Sequence, residues 1–187
     1  FGGYRTPRPV VWASIYPEDQ DDFEHLKAGL ARLKLSDSSL SYDEENSSSL
    51  GRGFRCGFLG MLHLEIVTER LRREFNLAII ITQPSIEYHI TKTNGEEEII
   101  YNPSRFPDAG EISRVREPWV NLKIIAPSDY AGVISGLLFH HEGQVSASYT
   151  IGDGRIETTG ELPLRELMRG FFDELKSQTS GFDSLSY

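Results

Sequence analysis

Five arginines form the one cluster in this sequence whose side chains are suited to chemistry with anions. They fall in the middle of the first half, at Arg52, Arg55, Arg70, Arg72 and Arg73. A guanidinium group binds phosphate through a planar fork of N–H donors, so the cluster is a candidate contact for RNA or for an acidic partner. The same side chains could instead pair with Glu69 and Glu74 on a helix surface. The residues alone leave both interpretations open.

Motifs for catalysis are incomplete. The GxxxxGK(S/T) loop that cradles nucleotide phosphates is absent, and the nearest match, Gly51-Arg52-Gly53, lacks the lysine and the hydroxyl. His63 and Glu65 spell the HxE that opens a zinc deaminase signature, but the cysteine ligands of that signature do not follow. We therefore expect no catalytic residue and no bound cofactor or metal within this sequence.

Cys56 is the only cysteine, which excludes an internal disulfide and a CxxC metal site. Phe54 and Phe58 flank it, and no helix start or defined base lies nearby to stabilise a thiolate. A buried core thiol is therefore predicted rather than a nucleophile. The acidic groups at 19–22, 43–45 and 96–98 lack the spacing of an EF-hand and are expected to be solvated surface.

Composition sets the class of protein. With 187 residues, 39% of them hydrophobic, the chain can form one large domain or two small ones with a proper core. A net charge of −9 disfavours indiscriminate binding of duplex DNA. The longest apolar run, Leu77 to Ile81, is far short of the roughly 18 residues of a membrane span. The chain opens at Phe1 rather than at Met, so we expect it to be part of a longer polypeptide.

Hydrophobic periodicity places the elements of the first half. Val10 to Tyr16 is typical of a buried strand, and the apolar spacing that begins at Phe23 predicts a helix. A short strand over 40–42, a loop over 44–52 and a strand over 53–58 follow. The next helix is expected to turn its apolar residues inward: Leu59, Leu62, Ile66, Leu71 and Phe75. Strands interrupted by Pro84 then lead to an Asn94-Gly95 hairpin.

The second half repeats this order after a Pro/Gly-containing connection over 102–110. Strands are predicted over 119–126, 145–151, 155–161 and 182–187, with one helix after Pro127 and another at Pro163. The predicted class is α+β, with two tandem ferredoxin-like (βαββαβ) sandwiches, each an antiparallel sheet backed by two helices. We place the first module at residues 1–104 and the second at 105–187. Each sheet has one face available for docking.

One long motif resembles a known family. The run GFRCGFLGMLHLEI at 53–66, followed by Glu69-Arg70-Leu71, resembles the signature of elongation factor 4, the LepA translational GTPases. The resemblance extends over essentially the whole chain. It includes Tyr16-Pro17, LSDSSL at 35–40, Asn102-Pro103-Ser104, Arg116-Glu117-Pro118 and Glu161-Leu162-Pro163-Leu164.

The resemblance implies a multidomain parent: a GTPase domain that uses GTP and Mg, a β-barrel, two ferredoxin-like domains similar to domains III and V of elongation factor G, and a family-specific C-terminal domain. This sequence matches the two ferredoxin-like parts. It is therefore expected to be the ribosome-docking middle of a factor proposed to act in back-translocation of tRNAs and in translation fidelity. The fragment itself, without the phosphate-binding loop, is expected to be inactive as a GTPase.

The partners implied by the resemblance are rRNA, ribosomal proteins, nearby tRNA and the protein's own GTPase and β-barrel domains, and not DNA. A monomeric fragment is expected, cytoplasmic and, as in the family, able to lie peripherally on the inner membrane face.

Two departures from the family and two rival interpretations remain. Where the family usually has basic residues after the helix of the second module, this chain has Phe139-His140-His141-Glu142, which weakens the case for an RNA contact there. Where the family usually ends in an Asp-Tyr pair, the chain ends in Ser186-Tyr187. The rivals are a tandem ferredoxin-like sensor of small molecules and an acylphosphatase-like enzyme that uses Arg52 and Arg55.

Overall fold

The computed structural model describes residues 8–181 and 184–187. The chain divides into two compact units, Phe1–Val115 and Arg116–Tyr187. The sequence predicts a boundary between residues 104 and 105. The first unit extends beyond this predicted boundary because the strand Ile112–Arg116 (β8) pairs with the strand Tyr88–Lys92 (β6) of that unit.

The first unit contains a split βαβ sheet. Its elements are β1 (Val11–Pro17), α1 (Phe23–Ser36), β2 (Ser41–Ser47), β3 (Gly51–Phe58), α2 (Met61–Glu74), β4 (Ile79–Ile81) and β5 (Ser85–Ile86). The strand order is β2-β3-β1-β4, with β5 also paired to β1, and the pairs are antiparallel. This is the ferredoxin-like arrangement that the sequence predicts.

One face of this sheet forms the core against the helices. Cys56 and Phe58 of β3 point to that face, and both are fully buried. The inward residues of α1 are also buried, as their helical spacing predicts: Phe23, Leu26, Leu30 and Leu33. Burial raises the pKa of the Cys56 thiol, so the predicted core thiol is confirmed.

On the opposite, open face, two aromatic rings of β1 lie across glycines of β3. Trp12 is the cross-strand partner of Gly57, and the Tyr16 ring lies over Gly53. A Cβ atom at Gly53 would lie 2.3 Å from the Tyr16 ring, and one at Gly57 would lie 2.9 Å from the Trp12 ring. These positions need glycine because the rings occupy the space of a side chain.

The predicted loop over 44–52 is wrong, because β2 and β3 form a regular hairpin there. Their pairing runs from Ser41 opposite Gly57 to Ser47 opposite Gly51. Gln20 holds the turn: its Nε2 donates to the Leu50 carbonyl at 3.0 Å, and its Oε1 accepts from the Arg52 amide at 2.8 Å. A polar edge strand has the composition of a loop, which explains the error.

Most of the residues predicted to form the buried face of α2 are also wrong. The buried residues are Leu64, Val67, Thr68 and Leu71, whereas Leu62 is 65% and Ile66 is 50% exposed. His63 fixes the rotation of the helix start. Its Nδ1 accepts from the Leu59 amide at 2.9 Å, and its Nε2 lies 2.8 Å from Asp37 at the end of α1. The HxE histidine is therefore structural.

A second, three-stranded sheet completes the first unit, in the order β7-β6-β8. β6 (Tyr88–Lys92) and β7 (Glu97–Ile100) form the hairpin predicted at Asn94-Gly95. The break predicted at Pro84 separates β4 from β5. Thr82 fills this break by exchanging hydrogen bonds with the Ser14 backbone at 2.8 and 2.9 Å.

The second unit has the same topology. Its elements are β9 (Trp119–Pro127), α3 (Ala131–His140), β10 (Gln144–Gly152), β11 (Arg155–Pro163), α4 (Leu164–Glu166), a π-helical turn (Leu167–Phe171), α5 (Phe172–Gln178) and β12 (Ser184–Ser186). The order β10-β11-β9-β12 is again antiparallel. The predicted last strand begins at residues 182 and 183, which lie outside the described residues.

The contact between Tyr16 and Gly53 predicts a stability effect. Gly53→Ala should lower the free energy of unfolding by about 1–3 kcal/mol, because the new methyl group overlaps the ring and the Ile15 carbonyl. Gly132→Ala, on α3 with no atom within 4 Å of its Cβ position, is the matched control and should not destabilise. Urea denaturation of the two variants measures both effects, and equal midpoints would contradict the packing argument.

Candidate nucleic-acid interface

Arg52 lies on the helix side of the first unit. Its guanidinium stacks over the Phe23 ring at 3.8 Å from the centroid, and its Nη2 lies 2.8 Å from Glu44 on the neighbouring strand. Glu24 of α1 lies 4.0 Å away. Arg52 is thus an exposed but partnered cation at the start of α1.

Three arginines lie on α2. Arg70 makes a bidentate pair with Glu74, at 2.7 and 3.0 Å, and its Nη1 lies 3.4 Å from Ser36 of α1. Arg73 pairs with Glu69 at 2.5 Å. Arg72 is exposed, and among the described residues no carboxylate lies within 4 Å of it. The helix-surface pairing that the sequence left open therefore exists for Arg70 and Arg73.

Arg55 lies on the other face of the sheet. Residues 52 and 55 are three apart on one strand, so their side chains point in opposite directions. The Arg55 guanidinium stacks on the Tyr101 ring at 4.4 Å, and its Nη2 is 3.8 Å from Asp43. The five predicted arginines therefore do not form a single patch.

Arg55 lines a groove on the open face of the first unit. The groove has a volume of about 950 Å³ and lies between the sheet, the β2–β3 turn and the segment after β7. Its walls carry many hydroxyl and amide groups, including Ser14, Ser47, Ser49, Ser85 and Asn102. Tyr101 covers one end, 4.6 Å from the Trp12 ring.

The acidic groups that line this groove are already matched. The Tyr16 hydroxyl donates a short hydrogen bond to Glu45. Burial, together with this bond, raises the pKa of Tyr16 to about 12. Glu98 pairs with Lys92 at 3.1 Å. The Arg55 guanidinium, in contrast, has a buried Nε without an acceptor among the described residues, and its Nη2 lies 3.8 Å from Asp43.

The second unit holds a partly buried ionic network that sequence analysis did not predict. Arg165 is its centre, with Glu117 at 2.8 Å, Glu166 at 2.6 Å and Glu142 in a shorter contact. Glu166 is 6% exposed and also accepts from Arg169 at 3.0 Å. Acidic residues here serve as internal partners rather than as solvated surface.

His141 joins this network through both ring nitrogens. Nδ1 lies 2.8 Å from Glu166, and Nε2 lies 2.9 Å from Glu174. Both nitrogens face acceptors, so the ring must be a doubly protonated imidazolium for both contacts to be hydrogen bonds. Burial by itself lowers the pKa of His141, but the bonds to the two glutamates outweigh it and the pKa is raised.

This network explains the departure at Phe139-His140-His141-Glu142. His141 and Glu142 both contribute to the contacts that hold the end of α3 to the segment after β11. The sequence contains one signal of this network, because Glu166 and Arg169 have the i,i+3 spacing at which side chains can pair on a helix. Their partners, however, come from positions that only the fold brings close.

Two negative findings concern other classes of site. Within residues 8–181 and 184–187, no group of three or more His, Cys, Asp or Glu side chains is arranged to hold a metal ion. In the same described ranges, no helix has the length and apolar character needed to cross a membrane.

Comparison with known proteins defines the class of the two units. Residues 6–83 match the family model for elongation factor G, domain III, and residues 114–187 match the model for the elongation factor G C-terminus. The chain is thus a pair of elongation-factor-G-type modules. Residues between the two matches contain β6, β7, the start of β8 and Tyr101.

Curated relatives identify the branch of this class. The chain is 46% identical to elongation factor 4 of Kineococcus radiotolerans over 100% of its length, and 45% identical to that of Alkaliphilus metalliredigens over 99%. It is 43% identical to elongation factor 4 1 of Lactiplantibacillus plantarum over 99%. The chain belongs to the elongation factor 4 family, and it spans about 30% of the length of these relatives.

The His141 network predicts a pH dependence of stability. The folded-state pKa of His141 is raised above its ordinary value of 6.5, so its stabilising effect is complete below pH 6.5 and is lost as pH rises through the folded-state pKa. The free energy of unfolding should therefore fall as pH increases above about 6.5.

His141→Gln should remove this alkaline decline, because glutamine does not titrate. His140→Gln, at the exposed neighbouring ring, is the matched control and should retain it. Denaturant unfolding of each protein between pH 6 and 9 measures the slope. Equal slopes for His141→Gln and the unmodified chain would contradict the assignment.

Proposed function

We propose that this chain is the ribosome-docking part of a translational GTPase of the elongation factor 4 family. The observation that carries the proposal is the match of both units, in order, to elongation factor G modules, together with the identity to elongation factor 4 over the whole chain. In this role the chain transmits the state of a GTPase domain to the ribosome as a structural spacer. GTP and Mg bind to that other domain, since this sequence has no phosphate-binding loop.

The parent factor acts on tRNA position in this proposal, in back-translocation and in translation fidelity. Its partners are rRNA, ribosomal proteins, tRNA, and its own GTPase and β-barrel domains. The proposal places it in the cytoplasm, with peripheral contact to the inner membrane face. The fragment is a monomer that does not bind DNA, in keeping with its net charge of −9.

The arginines of the first unit are the proposed RNA contacts: Arg52, Arg55, Arg70, Arg72 and Arg73. Exposed ion pairs contribute only about 0–1 kcal/mol, so the pairs of Arg70 and Arg73 can open in favour of phosphate. Arg72 needs no such exchange, because no described carboxylate is paired with it.

Binding to ribosomes tests the proposal. We expect the chain to cosediment weakly with ribosomes, with an affinity that falls as salt increases, and to bind no GTP. Arg72→Gln should weaken binding about threefold to tenfold and reduce the salt slope by about one.

Lys27→Gln, which makes the same charge change on the exposed face of α1, is the matched control and should bind like the unmodified chain. A chain that does not cosediment at low salt, or GTP binding by the fragment, would contradict the proposed function.

A further inference from the structure

The open face of the first unit contains two buried hydrogen-bond donors without an acceptor. They are Nε1 of Trp12 and Nε of Arg55, and neither has a partner among the described residues. Trp12 is only 9% exposed. A buried donor without a partner is destabilising, so these two groups on one face of the sheet favour an acceptor that comes from outside the chain.

The two donors belong to side chains that pack against the same tyrosine ring. Tyr16 and Trp12 lie across Gly53 and Gly57, which leaves Arg55 as the only long side chain of β3 on this face. Tyr101 then contacts both the Trp12 ring, at 4.6 Å, and the Arg55 guanidinium, at 4.4 Å. Both donor atoms are buried in this conformation, so an acceptor from outside reaches them only when a neighbouring group moves aside.

Unused hydrogen-bond donors of the groove favour an anionic group. The Glu45 carboxylate accepts from the Tyr16 hydroxyl and Glu98 pairs with Lys92, whereas the Arg55 guanidinium has Asp43 at 3.8 Å and donates no hydrogen bond to it. Arg105 adds a second positive charge to the lining. A guanidinium with unused parallel N–H groups binds an oxyanion bidentately, and the hydroxyl groups of the walls can complete the shell.

We propose that this groove is a phosphate-binding site, in which Arg55 and Trp12 donate to the oxygens of an RNA phosphodiester and Tyr101 stacks with a base. The inference rests on the proposed function, and it deepens that function by selecting Arg55 from the five candidate arginines. The volume of about 950 Å³ lies in the range of ligand pockets, and a base has a π-face for the ring.

The indole N–H signals in a ¹H–¹⁵N NMR spectrum provide the test, because the chain has two tryptophans. Trp12 lines the groove, and Trp119 lies in the other unit as an internal control. The probes are inorganic phosphate and a single-stranded RNA hexanucleotide, each compared with sodium chloride at equal ionic strength. We expect both probes to shift the Trp12 signal and not the Trp119 signal, with RNA half-saturating at a concentration about tenfold lower.

Arg55→Gln should weaken the Trp12 response about tenfold, since the charged donors are lost. Arg55→Lys should give an intermediate response, because it keeps the charge without the planar fork. Lys27→Gln, which removes one positive charge on the exposed face of α1, is the control and should leave the response unchanged. The remaining signals of each spectrum report whether the variant is folded.

If the two probes half-saturate the Trp12 shift at the same concentration, the groove is a phosphate site, but its ligand is a free phosphate ester instead of RNA. No shift of Trp12 with either probe, or a shift that Arg55→Gln leaves intact, would overturn the inference. Ribosome cosedimentation separates the two proposals. If Arg55→Gln binds ribosomes as well as the unmodified chain, the proposed function stands and this site is not part of it. If the unmodified chain does not bind ribosomes, the proposed function is contradicted, whereas the phosphate site is judged by the NMR titration.

Discussion

A sheet that carries both of its helices on one side can bury only one of its faces against them, and each unit of this protein is built around that constraint. In the first unit the chain partly covers the other face itself, because the rings of Trp12 and Tyr16 lie on glycines and Tyr101 packs against Trp12. In the second unit Trp119 and Lys123 stay exposed along β9. The aromatic cover of the first unit creates a groove with a defined interior. The second unit leaves this face exposed to solvent.

The acidic character of the chain has a structural use in both units. Arg52, Arg70 and Arg73 are held by carboxylates at the surface, where the cost of separating the charges is small. Arg165 and Glu166 pair in a partly buried network, where the loss of its cations would leave the Glu166 carboxylate with little access to water. Arginine–carboxylate pairs in the first unit can therefore open when a partner offers another anion. Pairs of the same residue types in the second unit stabilise the fold.

The sequence predicted the topology because apolar periodicity and turn residues act locally. The strand at Val10 to Tyr16, the helix after Phe23 and the hairpin at Asn94-Gly95 are all set by neighbours along the chain. It did not predict the rotation of α2, since Leu62 and Leu64 are equally apolar and the choice between them depends on His63 and Asp37. Nor could it predict the groove, because Trp12, Arg55 and Tyr101 become neighbours only after the sheet has formed.

The environment of Glu166 has a consequence for how this protein can change. Its carboxylate is shared by His141, Arg165 and Arg169, and Arg165 in turn serves Glu117 and Glu142. Removing the Glu166 carboxylate takes one acceptor from three cations, and removing Arg165 takes the cation from three carboxylates. The effects of replacing two of these six residues together should therefore differ from the sum of the single effects, although the residues come from three separate stretches of sequence.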